Sequence, residues 1–251
     1  MQPWLEAGLW GTLAGAALIL GAAIGYTVRL PKFVIAGVMA FGSGVLISAM
    51  SFELMEEAYE QAGFLPVAIG FFSGSILYSS ANWWLARRGA KHRKRSTKPA
   101  GSESDSEGSG TAIAVGALLD GIPESMAIGL TLLAGGGVSL PTVIAIFISN
   151  VPEGLSSSAG MRASGRSAGF VFGLWSAIAL CSGLAAVVGY SVCGTFSTET
   201  QAAVTAVAAG GILSMLAETM IPEAFQGAHD YAGLMTCAGF ACAFALSMAG
   251  A

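Results

Sequence analysis

Eight apolar runs follow one another along this sequence, each close to the roughly 20 residues that a bilayer-spanning helix requires. They read as 7–28, 33–57, 64–86, 111–134, 139–161, 167–194, 200–224 and 231–250. Lipid offers peptide groups no hydrogen-bonding partner, so only a helical bundle or a closed barrel is open to such a chain. A barrel would show short alternating segments, which are absent. Only 10% of the residues are charged, against about 25% in soluble domains, and 35 glycines suit helices packed backbone to backbone in lipid. The expected fold class is all-α: a polytopic membrane protein of eight transmembrane helices, one transmembrane domain over residues 1–251, with the lipid bilayer as its surroundings.

Pro31 with Lys32, Gly63 with Pro66, and Gly135-Gly136-Gly137 with Pro141 mark breaks between runs. Residues 1–27 lack a basic stretch before their apolar run and read as the first helix rather than a signal peptide. All eleven Lys and Arg residues fall in alternate loops: Arg29 and Lys32; Arg87, Arg88, Lys91, Arg93, Lys94, Arg95 and Lys98; Arg162 and Arg166. The positive-inside rule makes those loops cytoplasmic and places both termini outside, in a multi-pass protein of the plasma membrane. Trp83 and Trp84 stand where interfacial aromatics belong. Residues 89–110 hold too little apolar content to fold and read as a disordered cytoplasmic loop between helices 3 and 4. A weaker reading gives its His92, Glu103, Asp105 and Glu107 a part in capturing cations. Cys181, Cys193, Cys237 and Cys242 show no ligand spacing and read as small buried apolar residues.

Two stretches interrupt the apolar pattern at membrane depth. Asp120-Gly121-Ile122-Pro123-Glu124-Ser125 lies in helix 4, and Ser149-Asn150-Val151-Pro152-Glu153-Gly154 lies 29 residues later in helix 5. Asp120 and Glu124 are spaced i, i+4 and share a face, as do Ser149 and Glu153; Asn150 stands three before Glu153. Each proline leaves the carbonyl four residues earlier (Leu119, Ile148) without its helical donor. Asp120, Glu124, Ser149, Asn150 and Glu153 thus form an oxygen-rich, anionic set without Lys or Arg. Crowded carboxylates in low dielectric repel, and a divalent cation relieves them. Protons alone, as in a relay, or a purely structural polar lock are the other readings.

Helix 2 adds Glu53, Glu56 and Glu57. Glu56, Glu57 and Glu60 sit at its outer end and read first as solvated, otherwise as an acidic mouth that concentrates cations, while Glu53 lies deeper and is a candidate for the path. Glu218 and Glu223 lie near the inner end of helix 7, where they would form an exit relay. His229 and Asp230 read as surface residues, and Met39, Met50, Met126 and Met220 as packing. The chain also repeats itself: residues 44–59 align without gaps on residues 210–225, an offset of 166. Helices 2 and 7 run in opposite senses in the topology above, so the match reads as an inverted repeat, a transporter signature.

The paired Pro-Glu helices, eight spans, long basic loop after helix 3 and inverted 3+2+3 arrangement resemble the ZIP (Zrt/Irt-like) metal transporters, closest to their bacterial GufA-like branch. The Ile221-Pro222-Glu223-Ala224 stretch is similar to that family's helix 7 ending. The resemblance implies that Glu124 and Glu153 bridge or ligate a metal, with Asp120, Ser149 and Asn150 at neighbouring ligand positions. It also implies uptake into the cytoplasm and a homodimer. The family's helix 4 motif, His-Asn-x-Pro-Glu-Gly, reads here with Asp120 for histidine and Gly121 for asparagine, and Ser149 replaces the helix 5 histidine. Oxygen ligands favour zinc less than imidazole does, so ferrous iron or manganese stands beside zinc as cargo.

The expected function is therefore transport of a divalent metal past Glu53, Glu56 and Glu57, through the central set, and out past Glu218 and Glu223, as one repeat rocks against the central helix pair. The alternative is a proton-coupled carrier of a small organic solute. An enzyme is not expected, since no second mid-helix aspartate completes a protease dyad and both histidines lie in loops. Neither a resident cofactor nor a nucleic-acid partner is expected.

Overall fold

Serine starts three of the helices. The hydroxyl oxygens of Ser139, Ser167 and Ser197 accept from the backbone N–H of Thr142, Phe170 and Thr200, satisfying donors that a helix start leaves orphaned. The computed structural model describes residues 2–87, 108–133 and 137–250, and among these there is no strand. The helices are α1 (Pro3–Thr27), α2 (Lys32–Ala62), α3 (Phe64–Leu85), α4 (Gly108–Thr131), α5 (Leu140–Ala163), α6 (Ala168–Cys193), α7 (198–228) and α8 (Ala232–Gly250). The loop read over 89–110 ends earlier than expected, because α4 already begins at Gly108; residues 89–107, with the residues proposed there for cation capture, lie outside the described residues.

Among the described residues five stretches are long and apolar enough to cross a membrane: Pro3–Thr27, Lys32–Ala62, Phe64–Leu85, Ala168–Cys193 and Thr198–Ala249. Their outward faces carry apolar stripes at helical spacing. Leu65, Ile69, Phe72 and Ile76 on α3 are exposed, as are Leu180, Leu184 and Val188 on α6. Water would not tolerate such a surface and lipid would; this is an all-α membrane protein. The Arg87 guanidinium lies 3.7 Å from the Trp83 ring centroid at the end of α3. α5 is not among the five, because its acidic, amide and hydroxyl side chains dilute its apolarity. Asp120 and Glu124 of α4 and Ser149, Asn150 and Glu153 of α5 are buried.

The helices form two bundles. In one, α1 packs on α5 and α6, and α4 packs on α6. In the other, α2 packs on α8 and on the end of α7, and α3 packs on α7. The main seams between them are α2 against α5 and α4 against α7. α4 and α5 touch each other only slightly, so they do not form a central pair for the flanking repeats to move against. The expectation failed because helices adjacent in sequence were assumed adjacent in space.

Each of these contacts has a counterpart when α1 is exchanged with α6, α2 with α7, α3 with α8 and α4 with α5. Glycines carry the correspondence. A Cβ on Gly44 would overlap the Thr236 carbonyl oxygen on α8, and one on Gly210 the Phe71 carbonyl oxygen on α3. Gly239 stands in the same way against Phe41, and Gly74 against Val207. The 166-residue offset maps Gly44 onto Gly210 and Phe41 onto Val207. It also maps Met50 onto Leu216, the first residues of two π-helical segments, Met50–Met55 in α2 and Leu216–Met220 in α7. π-Helical segments are rare and concentrate at functional sites, and neither is legible from apolar spacing.

The same offset carries Gly63, which closes α2 at φ 72°, onto His229, which closes α7 at φ 43° and ψ −119°. Only glycine adopts such a backbone freely; other residues pay about 1–3 kcal/mol. Glycine restores part of that through its looser unfolded chain, about 0.4–1 kcal/mol. His229→Gly is therefore expected to stabilise the protein by about 1 kcal/mol. Thermal unfolding in detergent reads this, and a melting point at or below wild type would contradict the strain.

Candidate functional site

The polar residues of the two Pro-Glu helices are inside the protein. Asp120 and Glu124 on α4, and Ser149, Asn150 and Glu153 on α5, are each at most 5% exposed. The prolines explain part of this placement. The Pro152 ring and the Ser149 backbone lie against Gly42 of α2, and the Pro123 ring lies against Gly211 of α7. A proline that gives up a helical hydrogen bond thus packs across each seam on a glycine that leaves it room.

The polar groups have different partners. The Tyr78 hydroxyl, on α3, donates to Asp120 Oδ1 at 2.5 Å. Asn150 Nδ2 donates to the Ala14 carbonyl of α1 at 2.9 Å, so its amide ties α5 to its own bundle. The Ser149 hydroxyl donates to Ile146 O at 2.9 Å, within its own helix. Among the described residues, no group of three or more His, Cys, Asp or Glu side chains stands close enough to hold a metal ion. Asp120, Glu124 and Glu153 are each buried but do not close into a three-carboxylate shell. Among the described residues no Lys or Arg is buried.

The Pro-Glu repeat also differs from the structural one. Gly154 abuts Leu18 and Gly129 abuts Ala186; Gly21 abuts Val151 and Gly189 abuts Met126. These pairs match α4 to α5 at an offset of 25, which aligns Glu124 with Ser149. The sequence repeat at 29 aligns it with Glu153 instead. The two glutamates therefore stand one helical turn apart in the repeat.

The acidic end of α2 borders a cleft. Glu53, Glu56, Glu57 and Glu60 line an opening of about 540 Å³ with Phe52, Ser139, Pro141 and Met248. Glu53 accepts from the Ser139 hydroxyl at 2.6 Å and from the Ser247 hydroxyl. Ser139 caps α5 in one bundle and Ser247 lies on α8 in the other, so Glu53 ties the two together beside the cleft. Glu57 also accepts from Gln61 Nε2 at 3.1 Å.

Near the other end of α7, Glu218 is exposed and accepts from Asn82 Nδ2 at 2.6 Å and from the Ser79 hydroxyl. Glu223 is buried, so the two carboxylates expected to act in series have different surroundings. His229 and Asp230 are exposed, as expected. Met39, Met50 and Met220 are packed in the core, while Met126 lines an apolar groove. All four cysteines are free, but of the four expected to be buried only Cys193 is; Cys181 is half-buried, and Cys237 and Cys242 are exposed on α8.

Tyr78 was missed, although a signal exists. Ser75, Tyr78, Ser79 and Asn82 recur at i, i+3, i+4 and i+7 on the otherwise apolar α3. That stripe meets Ser214, Asp120 and Glu218. No protein-family model matches the chain, and no curated protein matches it significantly.

Proposed function

We propose that the protein carries a divalent metal cation, zinc or else ferrous iron or manganese, across the plasma membrane into the cytoplasm. The observation that carries this reading is the burial of Asp120, Glu124 and Glu153 on two proline-interrupted helices, with no buried Lys or Arg among the described residues. Ionised carboxylates at that depth are costly and call for a cation. The chain crosses the membrane eight times with both termini outside, as the placement of its Lys and Arg residues supports. The cation enters at the cleft of Glu53, Glu56, Glu57 and Glu60 and binds at Glu124 and Glu153 with Asp120. Ser149 Oγ and Asn150 Oδ1 complete its oxygen shell as the carboxylates draw in. It leaves on the side of Glu218 and Glu223. The two bundles move past each other along the α2–α5 and α4–α7 seams, and glycine-lined close packing within each bundle supports their moving as units.

The proposal is tested by titrating zinc, manganese, ferrous iron and magnesium into the detergent-purified protein and following thermal unfolding. A cation at a hundred times its dissociation constant adds about 2.7 kcal/mol of stability. The wild type is expected to respond to a transition metal and Glu153→Ala to lose the response. A wild type indifferent to every cation would overturn the proposal in favour of the proton-coupled solute carrier.

A further inference from the structure

We infer that Tyr78 is the residue through which the position of one bundle sets the cation affinity of the other; the inference rests on the transport reading above and deepens it. Tyr78 belongs to α3, whose main packing partner is α7, and Asp120 belongs to α4, which packs on α6. Their hydrogen bond therefore crosses between bundles at a place where α3 and α4 share few other contacts. Tyr78 is 3% exposed although the preceding residue, Leu77, is 64% exposed, so the phenol is turned into the protein. Around it lies a groove of about 350 Å³ between α3, α4 and α7, lined by Leu119, Pro123, Met126 and Gly211 and almost wholly apolar. In such surroundings a hydroxyl aimed at a carboxylate is a directed interaction.

The chemistry suits a positioning role. A phenol donates a hydrogen bond to the carboxylate without neutralising it, and an ionised aspartate accepts at both oxygens. A hydrogen bond on Oδ1 is thus compatible with a cation on the same carboxylate, and it fixes the orientation the cation meets. Outer partners of this kind are worth about 10–100-fold in metal affinity. Movement along the seams would withdraw Tyr78 from Asp120, so that affinity is high with the bundles in this register and falls when they shift. A carrier needs that asymmetry: the cation is held in one state and let go in the other.

The test uses the full chain, with zinc as the probe and zinc-dependent thermal stabilisation as the readout of apparent Kd. Tyr78→Phe, which removes one oxygen, is expected to raise the apparent Kd about tenfold or more. It should leave the melting point of the metal-free protein within a few degrees of wild type. In an Asp120→Asn background the same substitution is expected to add no further loss. Unchanged zinc affinity in Tyr78→Phe, a loss that adds fully to that of Asp120→Asn, or collapse of the metal-free protein would each overturn the inference and leave transport standing. A wild type that ignores zinc and the other cations removes the transport reading and the inference with it.

Discussion

Gly44→Leu is expected to destabilise the protein by about 3 kcal/mol or more, enough to leave little folded material. The obstacle is backbone. A Cβ at residue 44 would overlap the carbonyl oxygen of Thr236 and crowd the amide nitrogen of Phe240, and neither can swing away as a side-chain tip could. α2 and α8 would have to part, and the cluster that Phe52 makes with Phe240 and Phe244 would part with them. Overpacking a close-packed interior costs about 1–3 kcal/mol even where side chains can yield. Membrane helices are held together largely by such close approach, since lipid supplies no hydrophobic drive between them. Gly210→Leu should do comparable damage, because its counterpart contact is the Phe71 carbonyl oxygen. Gly173→Leu is the control, with nothing within 4 Å of its added Cβ. The yield of monodisperse protein and its melting point decide the matter. Equal behaviour of Gly44→Leu and Gly173→Leu would mean that the α2–α8 contact is looser than described.

Much of this architecture is written in apolar spacing. The helices fall within a few residues of the runs that announce them, since Gly63, Pro141, Ser139 and Ser197 act locally and can be read locally. The offset of 166 was legible for the same reason: Gly44 and Gly210 are small because a backbone lies against each, and the repeat preserves that need. What spacing does not encode is which helix lies beside which. Two copies of Pro-Glu in consecutive helices suggested a central pair, yet α4 and α5 lean on α6 and α1 and hardly on each other. The glycine register then pairs Glu124 with Ser149, which no inspection of the Pro-Glu motif would give. The π-helical segments at Glu53 and Glu218 escaped because one extra residue per turn does not disturb an apolar pattern. Tyr78 escaped because a lone tyrosine in an apolar helix is usually packing, and only its place in the stripe from Ser75 to Asn82 distinguishes it.

Glu124→Gln is expected to separate function from stability by moving them in opposite directions. Glu124 is 1% exposed, one residue after Pro123, in an interior that also holds Asp120 and Glu153. Taking a carboxylate out of water costs several kcal/mol, and like charges nearby add to the cost, whereas the amide has the same shape and no charge. Metal-free Glu124→Gln should therefore be at least as stable as wild type, with a gain of about 1 kcal/mol or more. Its response to zinc should be lost, removing the roughly 2.7 kcal/mol that a saturating cation contributes to wild type. Cation uptake into vesicles carrying the variant should fall with it. A purely structural polar lock predicts the reverse: lower metal-free stability, with an undiminished difference between metal-bound and metal-free protein. The two melting points of this single variant thus tell whether the buried carboxylate is kept for the fold or in spite of it, as stability surrendered for binding would require.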